Sequence, residues 1–232
     1  MPRVVGVVGA VAALALGAGV VASTGCGSTS SANPATAPTV SLWVSGTAHD
    51  YRQLAAGVKL ALAEHEGRAG EFRVNYAGRQ VSDDAAQAET DALANARTSL
   101  QDTQASAVIT DAPASVARPA ITLLNEAGIS VVALGDDALK AEACSDRSDI
   151  YPAGHATAIV EPPGSASPPA SWASSFKSRL GFAPTDTAWR AYQGAEAVLA
   201  SLGAPGVATN DTPPRLDRDA LAAQLVRARG GC

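Results

Sequence analysis

Ser106-Ala107-Val108-Ile109-Thr110 and Ile129-Ser130-Val131-Val132-Ala133-Leu134 bracket residues 113–127, a stretch that opens on Pro113 and closes before Gly128. Both brackets are short and rich in β-branched residues. The second is almost continuously apolar, as strands are when helices cover both faces of their sheet. A proline at the start and a glycine just past the end are helix boundary signals. Strand, helix and strand at this spacing predict a parallel βαβ unit with a right-handed crossover.

Working toward the N-terminus, the alternation continues. Thr39-Val40-Ser41-Leu42-Trp43-Val44 reads as a first strand. Residues 50–65 place Leu54, Val58, Ala61, Leu62 and His65 on one helical face, and Gly67 supplies a stop. Residues 72–76 read as a second strand. Ser82 is the expected N-cap of an Ala-rich helix reaching about Leu100, with Asp83 and Asp84 in its first turn. The pattern predicts an α/β fold: a doubly wound, mostly parallel sheet of flavodoxin-like strand order in a single lobe.

Toward the C-terminus the alternation breaks. Residues 136–154 hold no clear element, 156–160 read as a fifth strand, and 161–169 are Pro-rich. Ser171 is the expected cap of a helix with Trp172, Phe176 and Leu180 on one face. Pro184 opens another carrying Ala188, Tyr192, Ala195, Leu199 and Leu202. A polar linker, 203–214, precedes a last helix with Leu221, Leu225 and Val226.

Hydrophobic residues are 47% of the chain but aromatics only 4%, so the core is built from Ala, Val and Leu. A net charge of -5 with no basic stripe argues against nucleic acid as a partner. His49, His65 and His155 are scattered and match no metal-binding spacing. His65, on the apolar helix face, is expected to be a partly buried core residue. Trp172 and Trp189 sit at core spacing and are expected to pack rather than bind sugar. No nucleophile elbow, Walker loop or dinucleotide fingerprint follows any strand. The expectation is a protein without enzymatic activity, cofactor or metal.

Ahead of the domain, Arg3 is followed by an apolar run over residues 4–21 and then by Ala22-Ser23-Thr24-Gly25-Cys26. Charge, apolar run and small residues in this order read as a secretion signal. Ser23-Thr24-Gly25-Cys26 resembles a bacterial lipobox, with Ser23 where Leu is usual, which implies lipidation at Cys26. An ordinary cleaved signal and a retained anchor are the alternatives. Residues 1–25 are thus expected to be a lipoprotein signal peptide, 26–38 a Ser/Pro-rich tether, and 39–232 the folded lobe. Every version places that lobe outside the cytoplasm, anchored by lipid on the outer face of the cell membrane in the first. Cys144 and Cys232 would then lie in an oxidising compartment and are expected to form a disulfide; two unpaired thiols are the alternative.

Several local sequences, in shared order over about residues 39–202, resemble the type I periplasmic binding proteins of the branched-chain amino-acid group. They are Ser45-Gly46-Thr47 with Tyr51, Gly57 to Ala63 with Gly67, Ser82-Asp83-Asp84, Ala107 to Ser115, and Ala127 to Val132. Phe176, Leu180-Gly181, Pro184, Ala188, Ala191-Tyr192 and Ala195 complete the set. The resemblance implies a solute-binding component of an ABC transporter for amino acids or similar small molecules, working with a membrane permease. The chain departs from the family in having no room for a second lobe, which would need about a hundred further residues. Thr110-Asp111 replaces the family's Gly-Pro, and its ligand threonine falls near Asp137. Ligands of doubly wound sheets bind at the carboxyl ends of the strands. The candidates there are Ser45, Thr47, Tyr51, Asp111, Ser115, Asp136 and Asp137, each also explicable as a turn or cap residue. The alternative function is an interaction or scaffold lipoprotein of the cell envelope that has lost ligand binding.

Overall fold

A computed structural model describes residues 37–134, 139, 157–159 and 167–228. The expected signal, Cys26, nearly all of the tether, Asp136, Asp137, Cys144, His155 and Cys232 lie outside these residues. The strands are β1 (Thr39–Thr47), β2 (Arg68–Ala69), β3 (Phe72–Val81), β4 (Ala105–Thr110), β5 (Ser130–Ala133) and β6 (Thr157–Ile159). The helices are α1 (Tyr51–Glu64), α2 (Ala85–Gln101), α3 (Ala114–Glu126), α4 (Ala170–Leu180), α5 (Asp186–Leu202) and α6 (Arg218–Ala228).

The strands form one sheet in the order β2-β3-β1-β4-β5-β6. Every pairing is parallel except β2 with β3, a tight antiparallel hairpin turned by Gly70 at φ 55°. Without that hairpin the order is the flavodoxin-like one expected. The two-residue β2 had no signal in the sequence, and β3 runs five residues past its expected end at Tyr76. Pairing with β1 carries it on, through Thr47 opposite Val81.

Strand alternation sorts side chains onto two faces. Leu42, Val44, Ile109 and Val132 meet α1, α5 and α6 through Leu54, Val58, Val198, Leu221 and Leu225. Val108, Val131 and Ala133 meet α2 and α3 through Ala92, Ala96, Ile121 and Leu124. All residues of β4 and β5 are buried, as their apolar runs predicted. Each fully buried Leu or Ile contributes about 1.5–3 kcal/mol relative to exposure.

On the first face α1 and α5 run side by side. A Cβ at Gly57 would overlap the Ala188 carbonyl oxygen and come within 3.0 Å of the Tyr192 nitrogen, so the two backbones touch there. The partners of α1 advance along α5 in step. Gln53 pairs with Thr185, Glu64 with Tyr192, and His65 with Glu196. The two helices are therefore parallel, and both begin at the carboxyl end of the sheet. Helix α4 lies outside this pair. Its Phe176 is fully buried against Ala56, Leu60 and Ala188, and Trp172 packs 4.8 Å from Trp189 between ring centroids.

Several boundary expectations need correction. Asp84, not Ser82, caps α2: in extended conformation its carboxylate accepts from the N–H groups of Ala86 and Gln87. Ser82 instead accepts from the Asp84 N–H, one step earlier. A charged acceptor beside the positive helix end outcompetes a hydroxyl. Asp84→Ala is expected to cost about 1 kcal/mol in denaturant melts, and Ser82→Ala clearly less. Helix α4 starts at Ala170 behind Pro169, whose fixed φ of -56° sets the first turn without a side-chain cap from Ser171. Helix α5 starts at Asp186, with Thr185 accepting from the Ala188 N–H. His65 is not a core residue. Helix α1 ends at Glu64, so His65 falls off the buried stripe, 39% exposed, with Nε2 at 3.0 Å from Glu196.

Candidate functional site

Chain order reverses around β1: the chain passes from β1 outward to β3, then back across to β4. The carboxyl ends of β1 and β4 therefore flank the switch point, where doubly wound sheets leave a crevice. Asp111, the first residue past β4, spans that gap. Its Oδ1 accepts the Thr47 N–H at 2.8 Å, and its Oδ2 accepts the Thr47 hydroxyl at 3.3 Å. One side chain thus joins the ends of both central strands.

Burial pushes the Asp111 carboxyl up to about 6. The two Thr47 hydrogen bonds pull the other way, and the charge of Asp50 adds to the rise. Beside Asp111 opens a crevice of about 290 Å³ lined by Asp50, Asp111, Leu134, Asp186, Thr187 and Arg190. Asp50 stands at the N-terminus of α1; Asp186, Thr187 and Arg190 come from the start of α5. The parallel packing of α1 and α5 is what delivers both helix starts to one place.

The other candidates go elsewhere. Ser45 points to the α2 side, where its hydroxyl accepts from Asn95 Nδ2 at 3.1 Å, so it buttresses the sheet. Tyr51 turns toward β3. Its hydroxyl lies 2.9 Å from that of Tyr76, over Gly78, and it lines a separate open groove with Arg79, Gln80 and Asp91. Ser115 is exposed in the first turn of α3. Of the seven candidates, the structure brings together Thr47 and Asp111; Asp136 and Asp137 lie outside the described residues. Sequence reading missed Asp50, Asp186, Thr187 and Arg190. The available signal was the pair of helix starts: a parallel α/β fold puts them at the carboxyl end of the sheet.

A larger groove, about 760 Å³, opens at the opposite end, between Thr39, Gln104, Gly128 and residues 214–219. It lies at the amino ends of the strands, away from the switch point. Among the described residues no group of three or more His, Cys, Asp or Glu is arranged to hold a metal ion.

Known structures share this fold. A protein described as a branched-chain amino acid ABC transporter from Rhodospirillum rubrum superposes with a TM-score of 0.54 at 13% identity, over 82% of this chain and 89% of that one. The chain has the fold of ABC-transporter substrate-binding proteins. Such a protein from Desulfitobacterium hafniense, solved in complex with Leu, matches with the same score, identity and coverage. Another structure of a D. hafniense substrate-binding protein matches at 12% identity. At this identity the likeness is one of fold. No protein-family model and no curated protein sequence matches the chain. Within this substrate-binding-protein fold, the switch-point crevice of the present chain is walled by ionic side chains from two helix starts.

Proposed function

We propose that the chain is an exported lipoprotein of the solute-binding kind. Residues 1–25 act as its signal, Cys26 carries the lipid, residues 26–38 form a tether, and residues 39–232 form one binding lobe. The switch-point crevice holds an amino-acid-like molecule, which a membrane permease receives. The observation that carries this reading is the polar crevice beside the Asp111–Thr47 bridge, at the place where this fold class binds ligands. The shared fold of proteins that serve ABC transporters supports it. No helix among the described residues is long and apolar enough to cross a membrane.

A single lobe buries a ligand incompletely, so affinity is weak unless another chain supplies a second wall. Thermal melts against a panel of amino acids at millimolar concentration are the test. A rise confined to one chemical class supports solute binding, because a ligand held by the folded state alone stabilises it by mass action. No rise with any compound favours the scaffold reading. Mass spectrometry of the mature protein should find a diacylglyceryl Cys26 at its N-terminus; an unmodified leader of residues 1–25 would refute the anchor.

A further inference from the structure

The last bond across the β2–β3 hairpin runs from the Val74 N–H to the Gly67 carbonyl. Glu66 and Gly67, at φ 54° and 64°, carry the chain away from the sheet there, so β3 continues alone on its outer side. Toward β1, the Arg73 N–H donates to Pro38 and the Val81 carbonyl accepts from Ala48. Alternation between these fixed points aims the N–H and C=O groups of Tyr76, Gly78 and Gln80 outward. The Gln80 carbonyl accepts from Asn95 Nδ2 at 3.1 Å; the others face no strand among the described residues. A groove of about 490 Å³ opens at this stretch, with Tyr51 on one side of it and Asp91 and Ala94 on the other. Arginines follow the same rim. Arg68 and Arg73 stand directly opposite each other across the hairpin, an unfavourable placement for like charges, and Arg79 lies further along that face of β3. Among the described residues none of the three is in an ion pair, although Glu66 and Glu71 occupy the turns on either side of β2. Asp91, the carboxylate in the groove, is already held by the Ser82 N–H and the Gln87 side chain.

We propose that the outer rim of β3 receives an extended, acidic segment of a partner protein as an added strand, with carboxylates at alternate positions facing Arg73 and Arg79. Main-chain bonds to Tyr76, Gly78 and Gln80 supply an affinity common to any strand, and the arginines select the acidic one. From Asn75 to Val81 the rim is about 20 Å long at about 3.3 Å per residue, room for a strand of ordinary length. The chain's net charge of -5 gives the site its contrast, since a partner acidic enough to suit the arginines is repelled by the molecule as a whole. This surface is independent of what the switch-point crevice holds.

The test uses three capped heptapeptides: Thr-Glu-Val-Glu-Val-Glu-Thr, the same sequence with Lys for Glu, and the acidic one N-methylated at every Val and Glu so that it cannot donate to a strand. Each is titrated up to millimolar concentration into the full chain and into the Arg73→Glu, Arg79→Glu double variant, with melts of the free proteins to confirm folding. Binding is read from the backbone amide resonances and from their hydrogen exchange. The acidic peptide should bind the wild type, shift the amides of Tyr76, Gly78 and Gln80 and slow their exchange. The double variant should weaken it roughly tenfold and should take the Lys peptide in its place. The N-methylated peptide should not bind. Equal binding of the acidic and Lys peptides to the wild type would overturn the proposal, as would acidic binding that survives N-methylation. No binding by any peptide would also overturn it. Rim amides protected in the peptide-free chain, together with a dimer in sedimentation, would assign the rim to a second copy instead.

Discussion

Gly57→Ala is expected to destabilise the chain by about 2–3 kcal/mol, against a helix-propensity gain of about 1 kcal/mol in the opposite direction. The new methyl group would land on the Ala188 carbonyl oxygen, a backbone atom that no rotamer change can clear. Helices α1 and α5 would have to separate, loosening Leu54, Val58 and Val198 where they close over the sheet. Gly181 is the control. It ends α4 at φ 79° with nothing near its missing Cβ, so Gly181→Ala meets only backbone strain, about 1 kcal/mol. Urea melts of the two variants separate the causes. Unchanged or increased stability in Gly57→Ala would mean that the helices are not in backbone contact.

The second large effect is a pH dependence seated at Asp111. Its folded value, about 6, lies above the ordinary aspartate value of 3.8, so between pH 4 and 6 the folded state holds a proton that the unfolded chain releases. Stability from this group is therefore full below about pH 4 and is lost as pH rises through 6. A shift of about two units at about 1.4 kcal/mol each makes the swing close to 3 kcal/mol. Asp111→Asn should remove this slope, so the variant's stability relative to wild type should rise across pH 4–6 and then level off. The same carboxyl fixes the Thr47 N–H, and that amide's NMR shift should titrate with a midpoint near 6 in the wild type only. A difference in stability between the two proteins that is flat with pH would show that Asp111 is not desolvated.

Fold and site differed in how much the sequence disclosed. The runs at Val108-Ile109 and Val131-Val132-Ala133 announce strands covered on both sides because burial on two faces leaves no place for polar residues. Helix starts were less legible. At Ser82-Asp83-Asp84 three consecutive residues can each accept from the helix end, and the backbone angles chose Asp84. The crevice was half visible. Thr47 and Asp111 follow strands whose ends were in view, whereas Asp186 and Arg190 lie more than seventy residues beyond Asp111. They reach it through a helix–helix contact at Gly57 that no local pattern encodes. Ser45 misled because strand alternation turns it to the α2 side, where Asn95 engages its hydroxyl.

The hairpin that ends the sheet covers only the beginning of β3: Arg68 and Ala69 pair with Arg73 and Phe72. From Asn75 onward the outer rim of β3 has no strand beside it among the described residues, and an open rim is a template on which another polypeptide can polymerise. Arg79 and Gln80 are exposed along this rim, and Gly78 weakens its propensity for extension. A neighbouring copy would have to bring its own Arg79 into the same narrow space. Aggregation by growth along this rim is thus opposed by charge, where the hairpin stops short and leaves the backbone of β3 open.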